Sequence, residues 1–258
     1  MTYIEIGYYM MFFIIGAIFG SFYHVVGYRL PKNESLLKPR FSYCANCRQR
    51  LKWYELIPLL SFVLQGGKCR YCRQPISTFY PAIEFITGIL FVVSFYSFGF
   101  SYQLVIALVL VSLFSIVIVS DLYYLMIPDE VTLASILVIA MAIFFGQGYE
   151  MGLRALGSGV LLFGVMYLIM LLGDFILKKE SLGGADIKLM FVAGLVLDPV
   201  LGVGVIFLSS VIALPISLII YLVDRENVIP FGPFIVASIL ILFLLKIDVT
   251  TFFNLFLL

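Results

Sequence analysis

The chain is 258 residues long, 63% hydrophobic and only 12% charged. Soluble domains run nearer 45–50% apolar and about 25% charged, so composition excludes an ordinary soluble protein and implies one that lives in a bilayer. The net charge of +1 hides a steep internal asymmetry.

Ile6–Tyr28, Phe85–Ser120 and Val200–Val223 contain no Asp, Glu, Lys or Arg. A spanning helix takes about 20 apolar residues. Phe85–Ser120 is too long for one crossing, and Ser97-Phe98-Gly99-Phe100-Ser101 is the expected turn inside it. In order, the sequence predicts an all-α polytopic membrane protein of about eight transmembrane helices. They run over 4–27, 78–97, 102–120, 130–147, 153–177, 183–197, 200–223 and 231–247. The first segment lacks the basic start of a secretory signal peptide, and its apolar run is too long for one. It is therefore read as a retained span rather than a cleaved signal followed by seven spans. No internal repeat stands out. The expected organisation is a first transmembrane helix (1–27), a basic cytoplasmic loop (28–77) and a transmembrane catalytic bundle (78–258).

The stretch Tyr28–Ser77 holds ten of the sixteen Lys/Arg and two of the fifteen acids, for a net +8, which leaves −7 for the rest. Loops rich in Lys and Arg stay in the cytoplasm. The loop is therefore expected inside and the N-terminus outside. Alternate crossings then bring Lys178, Lys179 and Arg225 inside, with Arg154 and Lys246 as minor exceptions outside. The loop's cations are expected to meet anionic lipid headgroups of the inner leaflet.

All four cysteines lie in this loop, as Cys44-Ala-Asn-Cys47 and Cys69-Arg-Tyr-Cys72. Two such knuckles can close a tetrahedral thiolate site around zinc. A redox pair or free thiols are the alternatives; a reducing cytosol disfavours structural disulfides. With four protein ligands and no open position, such a zinc is structural. It would staple a loop that has little apolar core of its own.

Acids in or beside spans are functional suspects. They are Glu84, Asp121, Asp129, Asp174, Asp186 and Asp198. Asp121 closes the third span and Asp186 opens the sixth, at the same face. From Asp186 to Leu197 is twelve residues, about 18 Å of helix against a hydrocarbon core of about 30 Å. A break at Gly183-Gly184 would let Asp186 lie below the interface. Two carboxyl groups at one depth can share a proton and hydrolyse an amide as acid and base. Paired acids also serve proton-coupled transporters, which is the main alternative, and a non-catalytic zinc-loop scaffold is a third. Asp129 follows Pro128 and precedes an apolar run, as a helix N-cap would. Asp174 sits near the end of its span, and Asp198 in a short outer loop.

The order of motifs resembles one family. Gly20-Ser21-Phe22-Tyr23-His24-Val25-Val26-Gly27-Tyr28-Arg29-Leu30-Pro31 resembles the first-span signature of type IV prepilin peptidases. The paired knuckles follow, as they do there. Asp121 with Ile127-Pro128-Asp129 resembles the first catalytic block. Gly183-Gly184-Ala185-Asp186-Ile187-Lys188 resembles the GxGD block, and Pro230-Phe231-Gly232-Pro233 the late Pro-Phe-Gly-Pro motif. Five motifs in register cover nearly the whole chain.

The resemblance implies a GxGD-type membrane aspartyl protease with Asp121 and Asp186 as its dyad. Its partners would be prepilin or pseudopilin precursors and membrane lipids, with no nucleic acid. The substrate would carry a short basic leader and an apolar helix, cut after a glycine at the cytoplasmic face of the cell membrane. Many members also N-methylate the new terminus with S-adenosylmethionine. For that step Glu84, about two turns into the second span, is the suggested residue, with pairing to a loop arginine as its alternative. Two positions depart from the pattern. Ala185 stands where GxGD has its second glycine, an extra methyl that could tighten the turn. His24 stands where the family usually has Asn. Ser21 and His24 are close enough in a helix to touch, but a serine protease built on them lacks a third member. A buried, hydrogen-bonded polar residue is the simpler reading.

Overall fold

The computed structural model describes residues 3–36, 41–178, 183–223 and 230–257. Among them the chain is helical, with two isolated bridge pairs, Tyr43–Arg50 and Lys68–Pro75, in place of strands. Lys38 and Arg40 of the basic loop, and Lys179 and Arg225 of the charge argument, lie outside the described residues. Contacts divide the chain into two compact units, Met1–Gly99 and Phe100–Leu258.

The first unit pairs α1 (Tyr3–Arg29) with α3 (Phe79–Phe98). Between them run a 3₁₀ turn at Leu30–Lys32, the knuckles, a second 3₁₀ turn at Trp53–Glu55 and the short helix α2 (Leu60–Leu64). Helices in lipid associate by close packing, which small residues four apart permit. Gly16 and Gly20 of α1 are such a pair. A Cβ on Gly16 would lie 2.9 Å from Gly88 Cα, and one on Gly20 2.9 Å from Glu84 Cα. The two backbones therefore touch, and Phe12 stacks on Phe95 at 4.4 Å along the same seam.

The second unit holds α4 (Tyr102–Tyr124), α5 (Asp129–Gln147), α6 (Tyr149–Leu177), α7 (Gly184–Val196), α8 (Pro199–Val223), α9 (Gly232–Leu244) and α10 (Val249–Leu257). The predicted turn precedes α4, with Gly99 at φ +57 and Ser101 capping α4 through the Leu104 N–H at 3.3 Å. The core centres on α4, α7 and α9, where Leu110, Leu113, Leu189, Met190, Ile239 and Leu242 are fully buried. On α6, by contrast, Leu161, Leu168, Leu172 and Phe175 are exposed. So large an apolar face would be an aggregation surface in water and suits lipid.

A helix stands at each of the eight predicted spans, but the lengths differ. Among the described residues six helices, α1, α3, α4, α5, α6 and α8, are long and apolar enough to cross a membrane. α7 and α9 have 13 residues each, about 20 Å, short of a hydrocarbon core of about 30 Å. The predicted starts, 183 and 231, fall one residue from the observed ones, while the predicted end of the last span, 247, runs three residues past α9. Both begin at the candidate site. α10 was not expected, because it follows the last long apolar run. Asp248 starts it by accepting the Thr251 N–H at 2.8 Å and the Thr250 hydroxyl at 2.9 Å.

Candidate catalytic and metal sites

Asp121 lies in the last turn of α4 and is buried. The helix stops four residues later at Leu125, a left-handed residue whose N–H returns to the Asp121 carbonyl at 2.9 Å. The Asp121 side chain meets the start of another helix. Its Oδ2 accepts the N–H of Gly232, the first residue of α9, at 3.2 Å. First-turn N–H groups have no partner within their own helix, and the helix dipole turns its positive end toward the carboxylate. Gly232 must be glycine for this approach. A Cβ there would lie 2.6 Å from Ile127 Cδ1 and 3.0 Å from Asp121 Oδ2. The Pro-Phe-Gly-Pro segment thus has a steric reason, which spans 111 residues of sequence.

Asp186 is the third residue of α7 and half-buried. Gly183 is the N-cap of α7. The Asp186 carboxylate folds back toward it, so that a Cβ on Gly183 would lie 3.3 Å from Asp186 Oδ2. The break expected at Gly183-Gly184 is where α7 starts. Ala185 is already inside the helix, so its methyl is carried by a regular helical residue rather than by the turn. Beside Asp186 opens a cavity of about 290 Å³, lined by Met166, Ile169, Met190, Ile206, Phe231 and Ile235 among others.

Asp129 does not cap α5. Pro128 occupies the N-cap position without a side-chain bond, and Asp129 is the first helical residue. Its Oδ1 instead takes the Lys188 ammonium at 2.6 Å. Lys188 comes from the same block as Asp186, so one ion pair joins the two acidic motifs across 59 residues. The lysine two residues after Asp186, itself in an apolar span, was the available signal. Asp198 is exposed just before α8, and Asp174 is half-buried near the end of α6.

In the first unit, Glu84 Oε2 accepts the Leu59 N–H at 2.8 Å, and its carboxylate also bonds Ser21. In place of a loop arginine, the alternative partner, backbone and hydroxyl donors meet this carboxylate. His24 is buried, with its ring 4.0 Å from that of Tyr80 and 5.5 Å from that of Phe79. Ser21 thus works with Glu84, and His24 sits in an aromatic pocket.

The four cysteines converge. They are free of disulfides, their sulfurs all lie within 4.8 Å of one another, and Cys44 and Cys72 Sγ are 3.9 Å apart. A tetrahedral metal with bonds of about 2.3 Å requires sulfurs roughly 3.8 Å apart, so the cluster fits one ion. The two knuckles are built alike. Cys44 N–H bonds Gln49 O at 3.0 Å and Cys69 N–H bonds Gln74 O at 2.9 Å. Arg48 and Arg73 are left-handed at φ 55 and 60. The sequence reads Cys-x-x-Cys-Arg-Gln in both, a repeat too short to stand out in a search for longer periods. The Gln74 N–H holds the Cys72 thiol down at about 6, and the Cys47 backbone lowers Cys44. Cys47 goes the other way, to about 11. There the Gln49 N–H pulls down, and desolvation with bonds to Cys44 and Cys72 outweighs it. A cation among them favours the thiolate of each.

Residues 14–98 match the Bacterial Peptidase A24 N-terminal domain, and residues 108–218 match the Type IV leader peptidase family. The prepilin leader peptidase/N-methyltransferase of Bacillus subtilis is 34% identical over 246 residues, covering 93% of this chain and 96% of its own. The protein of that name from Vibrio cholerae is 30% identical over 251 residues, 93% of this chain and 97% of its own. That from Myxococcus xanthus is 37% identical over 200 residues, 77% of this chain and 58% of its own. No solved structure matches.

Proposed function

The chain belongs to the type IV prepilin leader peptidase family, and on that premise we propose that Asp121 and Asp186 are its catalytic pair. The enzyme removes the leader peptide from type IV prepilin-like precursors, and the family assignment sets aside the transporter and scaffold readings.

The observation that carries the pair is the Gly232 N–H on Asp121, with Asp186 lining one cavity with Phe231, the residue before Gly232. With Oδ2 engaged as an acceptor, Oδ1 of Asp121 is the oxygen left for proton transfer. The two carboxyl groups share one proton. The ionised one takes a proton from water as the water oxygen attacks the scissile carbonyl carbon. The protonated one gives its proton to the carbonyl oxygen. The tetrahedral adduct then collapses with rupture of the C–N bond. The first carboxyl passes its proton to the leaving amine, and the second recovers one from the adduct's hydroxyl, which restores the pair. The apolar cavity beside Asp186 suits an apolar side chain next to the cut bond.

Zinc is the ion best matched to four thiolates at these separations, held by Cys44, Cys47, Cys69 and Cys72 in a structural role. The +8 loop supports a cytoplasmic location for the knuckles, with the N-terminus outside and cleavage at the cytoplasmic face. Methyl transfer is in the relatives' names. The cavity beside Asp186 is lined mainly by apolar residues and does not fit S-adenosylmethionine. Glu84 remains the residue proposed for methylation, positioned by the Leu59 N–H on its Oε2.

Co-expression with a prepilin tests the whole reading. The wild type should shorten the precursor, while Asp121→Asn and Asp186→Asn, inserted at equal level, should leave it intact. A shortened product from either variant would remove that residue from the pair. The same product, weighed for an added methyl group with Glu84→Gln, tests the methylation role separately.

A further inference from the structure

Between the knuckles, the segment 53–64 turns apolar side chains outward. Trp53 is 77% exposed, Val63 72%, Leu64 68% and Leu60 51%. The segment is nevertheless ordered by polar anchors. Glu55 Oε2 takes the Lys52 N–H at 2.8 Å and closes the 3₁₀ turn under Trp53. Leu60 N–H then bonds Pro58 O at 2.6 Å, with Leu59 at φ 61 and ψ −52. That is a γ-turn of the strained hand, rare for a residue with a side chain. Strain of this kind persists only where surrounding groups hold it. Here Glu84 holds it, by accepting the Leu59 N–H. Glu84 is the sixth residue of α3, a candidate membrane span, so it lies about 8 Å along the helix axis. Leu59, and α2 directly after it, are therefore tied to the first turns of a spanning helix.

We propose that Trp53, Leu60, Val63 and Leu64 form an apolar wedge seated in the headgroup–acyl boundary of the membrane next to α3. An exposed apolar patch of this kind needs a cover. A tryptophan with leucines is the composition of an interfacial anchor. Lys52, Lys68 and Arg70 are exposed around it, and anionic headgroups would meet them where the wedge enters. The depth fixed by Glu84 and the surrounding cations together favour lipid over the apolar helix of a substrate or a second copy of the chain. The wedge adds to the headgroup attraction expected from charge alone, and it does not depend on the catalytic reading.

Trp53 is the single tryptophan of the chain, so emission excited selectively at the indole rather than at the sixteen tyrosines reports on the wedge alone, in a disc whose scaffold lacks tryptophan. The full chain is placed one copy per nanodisc of phosphatidylcholine and phosphatidylglycerol, with and without lipid carrying a nitroxide near the headgroup. The emission should be blue-shifted from that of the denatured chain and quenched severalfold more by the nitroxide lipid than by aqueous acrylamide. Val63→Asp with Leu64→Asp should abolish most of the lipid quenching, with the metal content of the knuckles unchanged as proof of folding. Water-like emission with acrylamide quenching equal to that of the denatured chain overturns the proposal. So does shielding that appears only on adding a prepilin peptide, which assigns the patch to substrate, or only with two copies per disc. Failure of the wild-type chain to cleave a prepilin while its lipid quenching is seen would count against the catalytic reading and not against this one.

Discussion

The loop of the first unit and the bundle of the second stabilise their polar groups in opposite ways. Among the described residues of 28–77, only Glu55 and Cys69 are buried. Order there comes from point contacts: four converging sulfurs, Glu55 on the Lys52 N–H, and Glu84 on Leu59. In the second unit the apolar core is extensive, and its two key carboxylates are steered by helix ends, Asp121 by the start of α9 and Asp186 by the start of α7. The difference separates stability from chemistry. Removing a point contact should loosen the loop, whereas removing a carboxylate should silence the bundle and leave it folded.

The largest effect expected is on the carboxylates. Asp121→Asn and Asp186→Asn should each lower cleavage by at least about 10³-fold, because residues that act as a unit fail together. The double variant should be no worse than either single one. Insertion and thermal stability should stay near wild type; a variant that fails to insert would break the contrast with the loop. Gly232→Ala comes next, at about 10²-fold, the cost of a reacting group misplaced by about an ångström. Its Cβ would press on both Ile127 and Asp121. Adding Ile127→Val removes the first clash and leaves the second, so activity should return only in part. Full recovery would mean that Gly232 matters for packing and not for the carboxylate.

What could be read beforehand follows the range of the interactions. Uncharged runs such as Val200–Val223 revealed the helices, because a span is a local property of about 20 residues. Asp121 and Asp186 stood out because charge in such runs is costly, and the cysteines because knuckle spacing is local. The shortness of α7 was visible in the twelve residues from Asp186 to Leu197, and that of α9, expected to run to 247, was not. The reason for Gly232 was not, since the atoms a side chain would strike belong to residues 105 and 111 positions away in sequence. Nor was the partner of Asp129, where a local rule suggested a cap and a distant lysine prevailed. The same holds for Glu84, whose partner at Leu59 depends on a γ-turn that composition does not announce.

The cysteines supply the third test, with the opposite signature. Replacing all four with serine should remove one zinc per chain by elemental analysis and make the 41–77 loop sensitive to protease. Cleavage should fall only about tenfold, through KM more than kcat, as expected when binding rather than transition-state contact is lost. Full zinc content after replacement would rule out the sulfur cluster as its site. A fall in kcat as large as that of the dyad variants would erase the distinction between the two units.

The smallest effect belongs to the Asp129–Lys188 pair, and it tests the bundle most finely. The contact is short, 2.6 Å, but the side chains are 60% and 42% exposed. Exposed pairs contribute roughly 0.2–1 kcal/mol, so each of Asp129→Asn and Lys188→Met should cost cleavage about two- to fivefold. A cap at Asp129 would predict no loss with Asn, which caps as well as Asp. The ion pair predicts a loss, because the amide cannot match the ammonium charge. The combined variant should be little worse than either one, since both remove the same contact, and raising the salt should shrink the wild-type advantage. Additive losses would mean that the two residues act separately and that the pair does not hold the Asp121 and Asp186 blocks together. An inactive Asp129→Asn alongside an active Asp121→Asn would go further and move the catalytic role from Asp121 to Asp129.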